Sequence, residues 1–343
     1  MNDILKTKPI SFSSLNLFEY SPLMYKRHVL KQLEEEDTDY FRKGSAFDCL
    51  ITEPESFDER FAVSHIPPPG GMMEVFVETY LKEMADTGDI ARATNIAYKE
   101  SGFKLKFSVV EKKFNDPDLQ NYVIFRLNNK DKTILSQDEF DQAKDMEQLL
   151  KSDVRCRKYL PEKDNPLQEA YNQIKIEWQM LVHDGITEVD ALSILDKIVV
   201  DHVVKTIQVV DLKTTGRSVF NFPLSFVKYA YYRQAAFYYD AAHQWAMSTN
   251  FAQHEGYKIL FPIFIVIETT CNHLPIIYQT TENDINVGRW GGTLKSGREV
   301  KGYISLTESL LKHRENNIWE LPMDIYEKGY ADLDVFEPIE SPN

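Results

Sequence analysis

Positive charge is what this chain has least of. Its 39 Lys and Arg stand against 53 Asp and Glu, a formal net charge of −14 over 343 residues. Such an overall field repels a polyanion, so any nucleic-acid binding has to come from a local groove rather than from the molecule as a whole. The cation clusters that could line one are Lys104 with Lys106, Lys112 with Lys113, Arg155 with Arg157 and Lys158, and Lys228 with Arg233. Each such cluster is also what an ordinary solvated face looks like. Cysteine is almost missing too. Cys49, Cys156 and Cys271 are far apart and odd in number. They imply no disulfide framework and no zinc knuckle, and three scattered thiols cannot build a four-cysteine iron–sulfur cluster. No stretch approaches the ~18 apolar residues of a membrane span. The opening MNDILKTKPI has no apolar signal-peptide core, and the expected compartment is the cytoplasm. What remains is a globular composition, 43% hydrophobic and 12% aromatic, long enough for one large domain or two.

The most informative stretch that is present reads SILDKIVVDHVVKTIQVVDLKTT. Ile207, Val209 and Val210 lead into Asp211, so an acid ends a mostly apolar strand, and Lys213 follows two positions later. Residues i and i+2 of a strand share a face. Asp211 and Lys213 are therefore expected side by side, with Asp196 on the neighbouring strand. Two carboxylates can hold a divalent cation through hard oxygen ligands. A lysine beside them can orient a water or neutralise phosphate charge. Charges placed where a core strand emerges are costly unless paired or metal-bound, although Asp-x-Lys alone is a common surface pattern. Downstream of Thr214-Thr215-Gly216 a helix is expected over about 224–247. In it Tyr231, Gln234 and Tyr238 fall at i, i+3 and i+7, on one face. Tyrosines at that spacing are otherwise ordinary core aromatics.

The order of an acid, Asp-Leu-Lys, then Tyr-x-x-Gln-x-x-x-Tyr resembles the PD-(D/E)XK nuclease superfamily, in particular its RecB-like branch and the phage-type exonuclease VIII (RecE) group. Three blocks carry the likeness: SFSSLNLFEYSPLMY (Ser11 to Tyr25), GSAFDCLITEPESFDERFAV (Gly44 to Val63), and the segment from Ile194 to Ala242. The resemblance implies that Asp196 and Asp211 bind metal, that Lys213 is the catalytic lysine, and that Gln234 and Tyr238 are the helix residues that support it. Where the family often has a metal-binding histidine, this chain has Asp48. That residue is either a replacement hard ligand or a helix-surface aspartate. Glu169, ahead of the strand-like 171–181, is either a further acid near the metal or a solvated strand end. Asp190 and Asp201 compete with Asp196, which is preferred because the likeness aligns there.

The fold expected is α/β: a PD-(D/E)XK restriction-endonuclease-like core, with a mixed central sheet flanked by helices and an N-terminal helical region. Residues 1–135 would form a helical cap contributing to the site and the DNA channel, 136–320 the nuclease core, and 321–343 an acidic C-terminal tail. Strands are expected near 171–181, 189–200, 204–212, 258–269 and 274–280. Helices are expected over 11–32 with an interruption at Pro22, over 137–159, and over 283–316; Leu33–Asp39 reads as a polar loop. The implied activity is Mg²⁺- or Mn²⁺-dependent hydrolysis of DNA, as a 5′-to-3′ exonuclease on linear double-stranded DNA in phage-type recombination. The implied setting is a bacterial host, with a single-strand annealing protein as partner, no membrane, and a homo-oligomeric ring as a possible assembly. Two alternatives stay open from sequence: a structure-specific or single-strand endonuclease on the same core, and a catalytically inactive DNA-binding or assembly member.

Overall fold

Stretches rich in β-branched residues at 198–200, 207–210 and 263–267 form the middle of one sheet, because both of its faces are covered. The chain is described here by a computed structural model covering residues 2–33, 38–182, 185–249, 251, 256–331 and 333. Most of the polar loop expected at Leu33–Asp39, and residues 332 and 334–343 of the acidic tail expected at 321–343, lie outside these residues; the described part of that tail forms a short helix, Met323–Lys328. A short parallel pair joins β1 (Phe61–Ser64) to β2 (Thr133–Ser136). The main sheet has the order β3 (Gln168–Leu181), β4 (Glu188–Asp201), β5 (Thr206–Thr215), β6 (Lys258–Glu268), β7 (Ile276–Gln279). Its pairings are antiparallel except β5 with β6, which run parallel. This is the mixed, helix-flanked sheet that the sequence led us to expect.

The helices before the sheet are α1 (Asn2–Thr7), α2 (Phe12–Tyr20), α3 (Pro22–Val29), α4 (Asp39–Thr52), α5 (Phe57–Arg60), α6 (Met72–Thr87), α7 (Ile90–Glu100), α8 (Phe107–Phe114), α9 (Pro117–Asn128), α10 (Gln137–Ser152) and α11 (Val154–Arg157). After β5 come α12 (Phe222–Lys228) and α13 (Tyr231–Ser248). Three expectations need correcting. The single helix over 137–159 is two, α10 and α11, parted at Asp153, whose side chain caps the second. The single helix over 224–247 is two, broken at Tyr229-Ala230, where Ala230 takes φ 53°. The single helix over 283–316 is likewise two, Glu282–Trp290 and Tyr303–Asn316, separated by a small hairpin of Gly292–Thr293 with Glu299–Val300. Glycines at 291 and 302 make that break. A Cβ on Gly302 would lie 2.3 Å from the Arg289 carbonyl oxygen.

One core fills the sheet face under α13 and draws in α2, α3 and the helix Tyr303–Asn316, with Leu15, Tyr25, Phe237 and Leu310 buried. The opposite face is covered by α4 and α10 through Phe47, Leu50, Met146 and Leu150. Helices α6–α9 close on a third apolar cluster of their own, around Phe76, Tyr80 and Phe114. So the first 135 residues are spread over three places: the α13 side, the α4 side and the separate helical cluster. No described helix is long and apolar enough to cross a membrane.

A defect in the sheet positions everything that follows. Tyr171 and Ile174 of β3, with their partners Ile198 and Leu195 of β4, all pack into the core under α13. Strict alternation would put residues three apart on opposite faces. Both strands therefore lose a step of alternation here, and Gln173 adopts φ 45°, the left-handed region, uncommon for a residue with a side chain. From the same point β4 and β5 part company. Their last paired residues are Lys197 and Val210. Beyond these, β4 continues along β3, with a single bridge from Ala191 to Ile10 on its other side, and β5 continues along β6. Asp196 and Asp211 are the first residues past the fork.

Candidate active site

At a fork, backbone groups lose their ladder partners and must find others. The Leu212 amide does so by donating to Asp196 Oδ2 at 3.0 Å, so one acid is tied to the strand that carries the other. Asp211 and Lys213 share a face, as expected, and form an ion pair. Asp211 is only 2% exposed, and Gln234 Nε2, reaching down from α13, donates to its Oδ1 at 2.9 Å. The Lys213 ammonium also stands 5.0 Å from the centre of the Tyr231 ring. From the other side of the fork, α4 brings Asp48. Its first turns lie close to β5: a Cβ on Gly44 would come within 3.1 Å of Thr214 Oγ1, and the Tyr40 hydroxyl donates to the Thr214 carbonyl at 2.5 Å. Gly44 is thus the residue that lets the helix approach the strand. The result is a pocket of about 260 Å³ whose walls include Gly44, Asp48, Asp196, Lys213 and Tyr231.

The electrostatics follow from three carboxylates held near one another away from water. Burial pushes the Asp48 carboxyl up to about 8, and the charges of Asp196 and then Asp211 push the same way. Burial likewise raises Asp211 to about 7; Lys213 works against that rise and Asp196 with it. Asp196 is raised by burial, with Lys213 and the Leu212 amide opposing. For Lys213 burial favours the neutral amine, but Asp211 and Asp196 outweigh it and hold the ammonium well above its ordinary range. Burial, followed by the charges of Asp211 and Asp196, raises the Tyr238 phenol, which lies beside Gln234. The site therefore resists carrying all its negative charge, and a divalent cation would relieve that resistance.

The residues fit such an ion in kind and number. Among the described residues no three His, Cys, Asp or Glu are already gathered in ligand geometry. Mg²⁺ does not need that, since it is usually held by one or two carboxylates, with waters and substrate phosphate filling the other positions. Asp196 and Asp211 supply the pair, and Asp48 a third oxygen donor across the pocket. Asp48 Oδ1 and Gln234 Oε1 are buried without a hydrogen-bond partner among the described residues. Orphaned buried oxygens of this kind are rare and mark a place where something else is to be bound.

Of the expected site residues, six converge: Asp48, Asp196, Asp211, Lys213, Gln234 and Tyr238. Glu169 does not. It pairs with Val200 at the far end of β3, takes the Tyr171 hydroxyl at 2.6 Å and lies 3.3 Å from His202. The strand runs away from the fork, so Glu169 is a solvated strand end. The rivals of Asp196 are also elsewhere, with Asp190 bonded to Gln179 and Asp201 capping the β4–β5 turn. Two supposed phosphate contacts are structural. Arg233 is fully buried, donating to Asn16, Glu19 and the Lys301 carbonyl, and Arg155 is bonded to Asp153 and the Pro275 carbonyl.

Three residues of the site were not picked out from sequence. Gln173 Nε2 donates to Asp48 Oδ2 at 2.8 Å from its left-handed backbone. Lys197, 3% exposed, donates to Asn172 Oδ1 at 2.5 Å, and burial lowers its amine to about 8 although Asp48 and Asp196 oppose that. The available signal was the Asn-Gln pair interrupting an alternating strand, and a lysine just after Asp196 inside an apolar one.

No protein-family model and no curated protein matches this sequence. Among solved structures, the chain is similar to a crystal structure of a protein from Eubacterium rectale that bears a provisional exonuclease name. The identity is 10%, with 100% of this chain and 92% of that chain covered, and the TM-score is 0.44.

Proposed function

We propose that this protein is a Mg²⁺- or Mn²⁺-dependent deoxyribonuclease that hydrolyses phosphodiester bonds at the fork between β4 and β5. The observation that carries this reading is the placement of Asp48, Asp196 and Lys213 around one small pocket, with Asp211 ion-paired to that Lys213 and a buried Asp48 oxygen without a hydrogen-bond partner among the described residues. Asp196 and Asp211 would hold the ion, with Asp48 opposite. Once bound, such an ion polarises a phosphoryl oxygen and lowers the pKa of a water ligand. Lys213, charged at any physiological pH, would place an ammionium-type donor where negative charge develops on the phosphate. Gln234 would keep Asp211 from rotating, and Gln173 would do the same for Asp48. The finer reading follows the resemblance: a 5′-to-3′ exonuclease on linear double-stranded DNA, serving phage-type recombination beside a single-strand annealing protein, as a homo-oligomer. It is tested by incubating linear and covalently closed circular DNA with Mg²⁺, Mn²⁺ or EDTA. Loss of linear DNA alone, only with metal, and not by Asp196→Asn or Asp211→Asn is the expected result. Wild-type rates in either variant would overturn the assignment of the site, and nicking of closed circles would replace the exonuclease by an endonuclease.

A further inference from the structure

Aromatic side chains ring the mouth of the carboxylate pocket, and the chemistry so far described uses none of their faces. On the α4 side stand Tyr40 and Phe41, 45% and 56% exposed, which both line the pocket with rings 6.1 Å apart. On the α13 side stand Tyr231, which also lines it, and Tyr229, 50% exposed, with rings 5.7 Å apart. Tyr231 joins the two sides, since it lines the same pocket as Tyr40 and its ring neighbours that of Tyr229. Each of the two tyrosines on this side carries an ammonium: Lys213 Nζ is 5.0 Å from the Tyr231 ring and Lys228 Nζ 5.1 Å from the Tyr229 ring.

The backbone is strained to make this arrangement. Tyr229 and Tyr231 flank Ala230, which sits at φ 53° where the chain turns from α12 into α13. A left-handed backbone is unfavourable for alanine, and glycine is the usual residue at such a position. Strain of this sort collects at binding sites, and here it sets two rings next to each other at the pocket edge.

We infer that this rim is a stacking platform for unpaired nucleotides, so that the strand to be cut enters the pocket single-stranded. The inference rests on the nuclease reading of the pocket and names the form of its substrate. Tyr40, Phe41 and Tyr229 are half exposed and offer π-faces to bases, whereas Tyr231 is stacked on Phe222 and covered by Lys213 and serves as their support; Lys228 beside Tyr229 offers positive charge to a phosphate. Bases paired and stacked in a duplex have no free face to offer. A protein segment would need no ammonium group at the rim of a phosphodiesterase pocket, so an unpaired strand is the occupant that Lys228, and Lys213 behind it, favour.

The test is binding without cleavage. Wild-type, Phe41→Ala, Tyr229→Ala and Tyr229→Phe proteins are titrated, in EDTA, into fluorescein-labelled oligothymidylate and into a blunt duplex of the same length. Melting curves confirm that these surface variants fold. Base stacking contributes roughly 1–3 kcal/mol per base, so each alanine variant should weaken single-strand binding roughly 5- to 100-fold. Tyr229→Phe should keep it, and duplex affinity should change less than twofold. Unchanged single-strand affinity in both alanine variants overturns the inference. So does equal weakening for the duplex, which would make the rim a general strand contact. If Asp211→Asn still abolishes cleavage in those cases, the nuclease reading stands and only the platform falls. If Asp211→Asn cleaves normally, the nuclease reading falls, whatever the oligonucleotide titrations show.

Discussion

Replacing Asp211 by asparagine should make the metal-free protein more stable while removing its activity. Asp211 is almost completely buried, and burial raises its carboxyl to about 7 even with Lys213 paired to it. An unfolded aspartate titrates near about 3.9. Between those values the folded state keeps a proton that the unfolded state has released. The folded state then binds more protons, so stability falls as pH rises through this window. At about 1.4 kcal/mol per pH unit, the ionised carboxylate costs at most about 4 kcal/mol above pH 7. Coupling to Asp196 and Asp48 makes half of that a reasonable expectation. Asparagine keeps an oxygen for the Gln234 amide and carries no charge. Urea unfolding in EDTA at pH 5.5 and pH 8 reads the effect. Wild type should lose stability between the two pH values. The variant should lose less and be the more stable protein at pH 8. Added Mg²⁺ should stabilise wild type at pH 8 and leave the variant almost unmoved, because binding to the folded state alone is what shifts the equilibrium. A variant less stable than wild type at pH 8 in EDTA would refute the reasoning: the ion pair with Lys213 would then outweigh the cost of burying the charge.

The other predictions concern single side chains. Lys213→Ala should bind DNA nearly as wild type does but cleave it roughly 10²–10³-fold more slowly, read by single-turnover cleavage beside a binding titration, because its charge acts on the transition state. Asp48→Ala should raise the Mg²⁺ concentration needed for half-maximal cleavage, whereas Asp48→His should stay active and move the preference toward Mn²⁺. An unchanged Mg²⁺ titration in Asp48→Ala would leave the site to Asp196 and Asp211. Ala230→Gly should raise the unfolding midpoint by relieving its left-handed backbone, by an amount corresponding to about 1 kcal/mol.

Much of the architecture was legible because it is local. The largely apolar stretches within 204–212 and 258–269 fold as the strands expected there, and both are covered on their two faces. Asp211, Lys213 and Gln234 were legible for the same reason: spacing of two on a strand and of three and four on a helix fixes which way side chains point. The misreadings lie where geometry is not local. The break at Tyr229-Ala230 is carried by an alanine where helix-end rules look for glycine. Glu169 stayed open between an acid near the metal and a solvated strand end, because proximity in sequence to a site strand does not decide it: at about 3.3 Å per residue a strand carries its ends far apart. Gln173 was invisible because its role depends on the strand beside it and the helix above it.

The fork explains why the residues that sequence missed belong with those it found. A continuous β4–β5 ladder would place Asp196 opposite Asp211 with their backbones saturated, two like charges directly across a pair, which is unfavourable. Ending the ladder at Lys197 and Val210 removes that pairing and opens the space in which the carboxylates face a common pocket. It also leaves a free amide at Leu212, which Asp196 satisfies, and a lost step of alternation, which Gln173 absorbs in its backbone. Gln173 then uses its side chain to hold Asp48, and Asn172 uses its own to hold Lys197. The polar pair in β3 is thus the support on which the acids of two other elements depend. Gln173→Ala should accordingly mimic Asp48→Ala in its Mg²⁺ requirement without touching the ion itself. If the two titrations differ, with Gln173→Ala behaving as wild type, Asp48 is held by its helix alone and the fork needs no support from β3.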